Sequence, residues 1–484
     1  LNPLPTLKSW SKALERPATE FTAVTLPVIF GELPPGLRGS LYRNGPARLE
    51  RNGVKVGHWF DGDGAVLAVH FTDAGAIASY RYVQTAGYQE EEAAGEFLFA
   101  GYGMMPPGSI WDRFTKSVKN AANTSVLALP DKLLALWEGG YPYGLDLQTL
   151  ETWGADKLEG LKNGWTFSAH PKRDPLTGNI YNFGVTPGKN SLLHLYVCDR
   201  TGKIQKHSTV EIDGVPLIHD FVLAGEYLVF FISPVRLQLF SALFHLKSYS
   251  DSLMWRPELG TQVLIINRDT LELVSGNQTD PWFQWHFSNG YQDERGNLIV
   301  DLVKYADFST NQYLKEIATG QAQTVAKGTL WRIYLDPKTA VVQDQEPLVE
   351  RGCEFPSVAP HEVGQPARFT YLSLHREDVN IGEELLGAIA RYDHQTQTLT
   401  VADLGPNRYP TEPLYIPNPE NPQQGWAIAV VFDGNDDGND DGNHTGKSEV
   451  WIFDSDRLDE NPVCRLALPE IVPMGFHGTW HPVN

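Results

Sequence analysis

LIINRDTLELV, residues 264–274, is an apolar run, a polar Asn-Arg-Asp-Thr turn and a second apolar run. β-Branched residues flank a turn whose Asn or Asp can bond its own backbone, so the stretch reads as a β-hairpin. Six other stretches share the plan: VHFTDAGAIASY (69–80), GLDLQTLETW (144–153), LYVCDRTGKIQ (195–205), RIYLDPKTAVV (332–342), ARYDHQTQTLTV (390–401) and VWIFDSDRLDENPVCRLAL (450–468). The copies stand roughly 50–70 residues apart, longer than a regular propeller blade and with room for insertions. Seven four-stranded units around an axis make an all-β, seven-bladed β-propeller, an architecture that leaves only short, protected strand edges. Helical periodicity is confined to IWDRFTKSVKNAAN (110–123) and VRLQLFSALFHLKSYSDSLMW (235–255), read as insertions on one face.

Composition narrows the function. A length of 484 residues calls for several domains or one large closed architecture. The 42% hydrophobic content provides a core, and the net charge of −20 argues against nucleic acid, whose phosphates are bound by Lys and Arg. Three widely spaced cysteines, Cys198, Cys353 and Cys464, form no disulfide framework and no CxxC zinc site, which fits a reducing, cytoplasmic setting. No window of 18 uninterrupted apolar residues exists, so no membrane-spanning helix is expected. DGNDDGNDDGN (433–443) has Asp spacing suggestive of a calcium loop, but no Glu follows at the EF-hand position, and a solvated loop is the simpler reading. No GxGxxG opens a helix after a strand and no P-loop occurs, so no nucleotide or flavin site is evident.

Fourteen histidines occur. His194 and His245 lie in apolar runs and read as packed; His207, His394 and His444 lie in polar turns and read as solvated. His58, His70, His361, His375 and His481 receive no chemical role. Four have unusual settings: His170 in GWTFSAHPKRDP, His219 in VPLIHDF, His286 in WFQWHFSNGYQDERGN and His477 in MGFHGTW. Each belongs to a different hairpin unit, and the inner strands of a propeller converge on its axis, where four imidazoles can meet around a metal. No HxH or HExxH is present, and on spacing alone four buried, hydrogen-bonded histidines are the simpler reading.

The segments GSLYRNGPA (39–47), HWFDGDGAV (58–66), NTSVLALPDKLLALWEGG (123–140), FSAHPKRDPLTG (167–178), IHDF (218–221), WHFSNGY (285–291), CEFP (353–356), TEPLYIPNP (411–419) and GFHGTW (475–480) occur in this order. Together they resemble the carotenoid cleavage oxygenase family, most closely its bacterial apocarotenoid oxygenases. The resemblance implies a seven-bladed propeller under a helical dome: a single domain over 1–484 with dome insertions near 85–125, 235–256 and 304–320. It implies that His170, His219, His286 and His477 bind one iron(II) per chain, with Glu138, Glu354 and Glu412 behind them and Thr124 beside a vacant iron position. In this family the third segment often carries two adjacent histidines; here the second is Phe287.

The implied reaction is dioxygenase cleavage of a polyene C=C bond by O₂ into two aldehyde or ketone fragments, retinal-like apocarotenoids among them. The substrate supplies the electrons, so no NAD, flavin or haem is needed. Phe60, Trp137 and Trp285 are implied to line the substrate tunnel. Relatives that cleave stilbenoids such as resveratrol commonly carry Lys where this chain has Trp137, which favours an apolar polyene here. Two readings compete with this one: a stilbenoid-cleaving enzyme of the same fold, and a catalytically silent propeller serving as a binding scaffold. Leu237, Leu239, Phe240, Leu243 and Phe244 form an apolar patch beside Arg236 and Lys247, which suits peripheral, monotopic contact with a membrane surface holding the carotenoid. No obligate protein partner is evident.

Overall fold

Every one of the seven expected hairpins is present in the structure, a computed structural model that describes residues 7–105, 107–108, 118–238, 246–435 and 446–483. In the quoted stretch, Ile266 pairs with Leu273, and Asn267 Oδ1 accepts the N–H groups of Asp269 and Thr270, both at 2.9 Å. Asp146, Asp199, Asp336, Asp393 and Asp454 each accept the N–H two residues on in their own turns. At the first hairpin the Thr72 hydroxyl takes this part from Asp73, accepting from Ala74 at 3.2 Å. Leu271 has a φ of 61°, a left-handed conformation costly for a residue with a Cβ. Its side chain is 1% exposed in the core, which offsets that cost.

The hairpins extend into sheets. The first contains, in order, Phe21–Thr25, Gly75–Tyr82, Asp63–Thr72, Gly39–Arg48 and, from the far end of the sequence, Gly478–Pro482. Consecutive sheets pack face to face, and their apolar clusters follow chain order. Tyr42, Val66 and Ala68 meet Val126, Ala128 and Leu133; at the other end Val450, Ile452 and Leu466 return to Leu41, Leu67 and Val69. The result is an all-β, propeller-like fold with few helices.

Two expectations are met only in part. Seven separate four-stranded sheets are not what hydrogen bonding gives, because one sheet has eight strands. Its two antiparallel halves join where Val222–Ala224 runs parallel to Phe287–Gln292, through the pair Ala224 and Gly290. The expected helical layer is also not seen among the described residues, whose α-helices are Ala86–Ala94 and Ser309–Ile317. Of the segment 110–123, residues 110–117 lie outside the described residues, and Val118 forms an isolated bridge with Ala100. Of the segment 235–255, residues 239–245 lie outside, and the flanks are strands: Val235–Leu237 pairs with Leu253–Trp255. The apolar spacing read as helical belongs at these flanks to a two-stranded ribbon. The acidic run lies outside the description from residue 436, while Asp433 is paired with Arg408 at 2.8 Å.

Gly290 tests the junction between the two halves. A Cβ there would lie 2.9 Å from Ala224 Cβ, 3.0 Å from Val222 Cγ2 and 3.2 Å from Leu223 O. Gly290→Ala is expected to destabilise the protein by about 1–3 kcal/mol through overpacking. Thermal denaturation measures it, and an unchanged midpoint would show that the strands separate freely at this point.

Candidate metal centre

Each of the four histidines stands within three residues of the start of a strand: Lys172–Arg173, Val222–Ala224, Phe287–Gln292 and Gly478–Pro482. A strand start fixes backbone direction, and His286 O and His477 O are held there by the N–H groups of Val303 and Asn44, while the side chains turn toward the common centre. All four are buried, and their potential ligand atoms lie within 4.8 Å of one another. His170 Nε2 is 2.9 Å from His219 Nε2; His286 Nε2 is 3.3 Å from His219 Nε2 and 3.0 Å from His477 Nε2.

The opposite ring nitrogens determine what these short contacts are. His286 Nδ1 donates to Glu354 Oε2 at 2.6 Å, His477 Nδ1 donates to Glu412 Oε1 at 3.0 Å, and His219 Nδ1 meets Glu138 Oε1. With protons on Nδ1, the Nε2 atoms present lone pairs to one another, a repulsive arrangement that a cation relieves. At metal–imidazole bonds of about 2.1 Å, ligands at right angles stand about 3.0 Å apart and tetrahedral ones about 3.4 Å apart. Two of the observed contacts, 2.9 and 3.0 Å, match the right-angle value and the third, 3.3 Å, is nearer the tetrahedral one. The residues therefore fit a divalent metal.

The supporting carboxylates differ in setting. Glu354 Oε2 also accepts the Phe355 N–H at 2.6 Å, and its Oε1 accepts the Tyr305 hydroxyl at 3.1 Å. Phe355 has a φ of 56°, so strain is held next to the carboxylate it binds. Glu412 Oε2 accepts from Gly478 N–H at 2.9 Å and from Arg43 Nη1 at 3.3 Å. Burial pushes the Glu412 carboxyl up, but His477, Arg43 and the Gly478 N–H outweigh it and leave its pKa below the ordinary value. Glu138 is the most open of the three, its side chain 29% exposed. Burial, with the neighbouring imidazoles of His219, His477 and His286, holds His170 well below the usual histidine range, so it is neutral as a ligand must be.

The cluster opens on a cavity of about 530 Å³. Phe60, Trp137 and Trp285, expected to line a tunnel, all line it, together with Thr124, Glu138 and Glu354. Phe60 meets Trp285 edge-on with centroids 5.5 Å apart, and Trp285 Nε1 donates to Thr310 Oγ1 at 3.0 Å. Thr124 precedes the strand Ser125–Ala128 and donates to Asn123 Oδ1 at 3.1 Å. Of the apolar patch, Leu237 is half-buried and lines the cavity, whereas Leu239, Phe240, Leu243 and Phe244 lie outside the described residues. The sequence reading missed Tyr102, Tyr249, Tyr305, Phe355 and Phe476, which also line the cavity, and Arg43 behind Glu412. None carries a spacing signal, although Arg43, Phe355 and Phe476 fall in quoted segments, GSLYRNGPA, CEFP and GFHGTW. His394, read as solvated, is instead wedged between Arg332 and Thr370 at 2.9 Å from each. His58 is fully buried against Phe60 and Tyr102, and burial pushes its pKa down to about 3.

The fold and site define a class, and comparison with known proteins supplies its name. Residues 14–482 match the family described as retinal pigment epithelial membrane protein. The chain is 32% identical over 463 residues to apocarotenoid-15,15'-oxygenase of Synechocystis, covering 93% of this chain and 91% of that protein. It is 26% identical over 487 residues to resveratrol cleavage oxygenase 1 of Aspergillus fumigatus, with 93% and 91% covered. It is 28% identical over 478 residues to isoeugenol monooxygenase of Pseudomonas putida, with 94% of each covered. A solved structure of cobalt-substituted Synechocystis apocarotenoid oxygenase superposes with a TM-score of 0.88 at 30% identity, covering 98% of both chains. The chain belongs to the carotenoid cleavage oxygenase family.

Replacing Glu354 or Glu412 by Gln keeps size and removes charge from a carboxylate held only by donors. Each variant is expected to fold and to lose about 10–100-fold in metal affinity. Metal titration of the apoprotein checks this; unchanged affinity in both would make them ordinary buried acids.

Proposed function

We propose that this protein is a non-haem iron(II) dioxygenase that cleaves a C=C bond of a carotenoid or apocarotenoid with O₂, giving two aldehyde or ketone products. The observation that carries the reading is the convergence of four buried histidines, backed by three carboxylates, with His219, His286 and His477 on the wall of a largely apolar cavity. Similarity to an apocarotenoid oxygenase points the same way. His170, His219, His286 and His477 would hold one iron(II) per chain, which supplies the activation of dioxygen when bound. Glu138, Glu354 and Glu412 keep the Nδ1 protons in place and the Nε2 lone pairs aimed inward. Phe60, Trp137 and Trp285 hold a flat polyene by its faces and keep water away from it. Thr124 limits access to the side of the centre that no histidine occupies. Both oxygen atoms enter the products and all electrons come from the double bond, so no reductant is consumed. Retinal-like products follow if the substrate is an apocarotenoid of suitable length.

Counting the eight-stranded sheet as two units, because a single parallel pair joins its halves, gives seven blades in one domain. The insertions near 85–125, 235–256 and 304–320 form its cap, a reading supported by Tyr102, Tyr249 and Tyr313 reaching the cavity from them.

A second reading rests on the tyrosines. Tyr102 and Tyr249 line the cavity, a feature suited to a phenolic substrate, and two relatives are named for resveratrol and isoeugenol. Trp137 in place of a lysine favours the polyene. Incubation with apocarotenals, carotenes and stilbenes, with both products identified by mass spectrometry, separates the two; turnover of stilbenes alone would reverse the order. His170→Ala, His219→Ala, His286→Ala and His477→Ala are each expected to lose most bound iron and O₂ uptake. Two variants retaining full iron and full turnover would defeat the ligand assignment.

The route of so apolar a substrate to the cavity is proposed to cross a membrane surface. No helix among the described residues is long and apolar enough to span a membrane. Leu237 lines the cavity and leads into the apolar run LQLFSALFHL (237–246), so substrate leaving a bilayer at this run would meet the cavity directly. Changing Leu239, Phe240 and Phe244 together to Ser is expected to reduce liposome binding and turnover of membrane-dissolved substrate, with little effect on detergent-dispersed substrate. Equal losses in both assays would exclude the membrane role.

A further inference from the structure

Asp220 is buried to within 3% and lies next to a histidine, yet it touches no imidazole. Its Oδ2 accepts the N–H of Phe287 at 3.0 Å. Its Oδ1 accepts the N–H of Phe221 at 2.8 Å and the Lys172 ammonium at 2.7 Å. Each partner marks a ligand-bearing segment: Phe287 follows His286, Phe221 lies two residues beyond His219, and Lys172 lies two beyond His170. One carboxylate thus joins three segments that start three different strands.

We infer that Asp220 is a positioning residue that sets the spacing of His170, His219 and His286, and through it the affinity and geometry of the metal site; this rests on the metal reading above. Within a sheet the backbone ladder fixes distances, but the three histidines come from different sets of strands. The His219 and His286 segments share one parallel backbone pair, Ala224 and Gly290, four to five residues beyond the ligands. Asp220 ties the same segments directly beside the imidazoles, where small displacements alter the Nε2 contacts most. Lys172 brings in the His170 segment and balances the buried charge. The fourth ligand has its own anchor: Asn44 N–H donates to His477 O at 2.9 Å, and Arg43 donates to both Glu412 and Phe476 O. The centre is therefore held by two clamps, a carboxylate on three ligands and a guanidinium on the fourth.

Asparagine at 220 nearly preserves volume but offers one acceptor oxygen where two are used, and its amide N–H₂ would face a donor. Apoprotein of wild type, Asp220→Asn and Lys172→Met would be titrated with Co(II), following heat release and the visible Co(II) absorption, with far-ultraviolet circular dichroism as the folding control. The expected result for Asp220→Asn is a native fold, Co(II) affinity lower by about 10–100-fold and an altered Co(II) spectrum. Lys172→Met, which keeps both backbone bonds, is expected to lose less. If Asp220→Asn does not fold, Asp220→Glu carries the test: it keeps the charge but displaces both acceptor oxygens, and the same loss and spectral change are expected. Wild-type affinity and spectrum in the folded Asp220 variant, with only a lowered melting temperature, would overturn the inference and leave the metal reading intact. Wild-type protein that takes up no Co(II) would overturn both.

Discussion

The pairing of Gly39–Arg48 with Gly478–Pro482 is the contact on which the rest depends. It joins the two ends of the sequence in one sheet, with Leu41 opposite Trp480 and Arg43 opposite Gly478. Without it the sheets would form an open row, and the clusters around Leu466 and Leu41 would be exposed. The same pairing carries His477 to the centre. Asn44 O accepts the Phe476 N–H and Asn44 N–H donates to His477 O, both at 2.9 Å, and a Cβ on Gly45 would lie 2.4 Å from Gly475 Cα, so only glycine lets the two segments approach this closely. Closing the fold and completing the ligand set are thus one event.

Convergence of this kind explains why the site is visible in some residues and hidden in others. The turn residues announce themselves: Asn267 and the aspartates of five further hairpins bond their own backbones as local chemistry dictates, so the strand plan was legible. The four histidines were legible as a set only through the motifs around them, since their spacing of 49 to 191 residues follows from blade length and insertions and not from any local period. Trp137, Phe60 and Trp285 were found the same way.

What stayed hidden is what depends on packing between distant segments. Nothing near Arg43 in sequence says that it will face Glu412, which is 369 residues away. The parallel junction at Ala224 and Gly290 depends on how two neighbouring units lean on each other, and no hairpin pattern encodes it. The flanks of the stretch 235–255 differ from the helical reading for a related reason. Leu237 and Leu253 are apolar because they pair across a two-stranded ribbon, while residues 239–245 lie outside the described residues.

Charge balance connects the buried shell to the cavity it borders. Every hydrogen-bond partner of Glu354 is a donor, as is every partner of Glu412, and Glu138 faces an imidazole nitrogen. Lys172 matches Asp220, and Arg43 offsets one of the three glutamates, which leaves two carboxylates beside the histidines without a Lys or Arg partner among the described residues. An uncompensated charge of this size is costly next to an apolar cavity. A divalent cation would offset it. The outer carboxylates therefore do more than orient rings: they place negative charge behind the histidines, where a bound cation would be compensated.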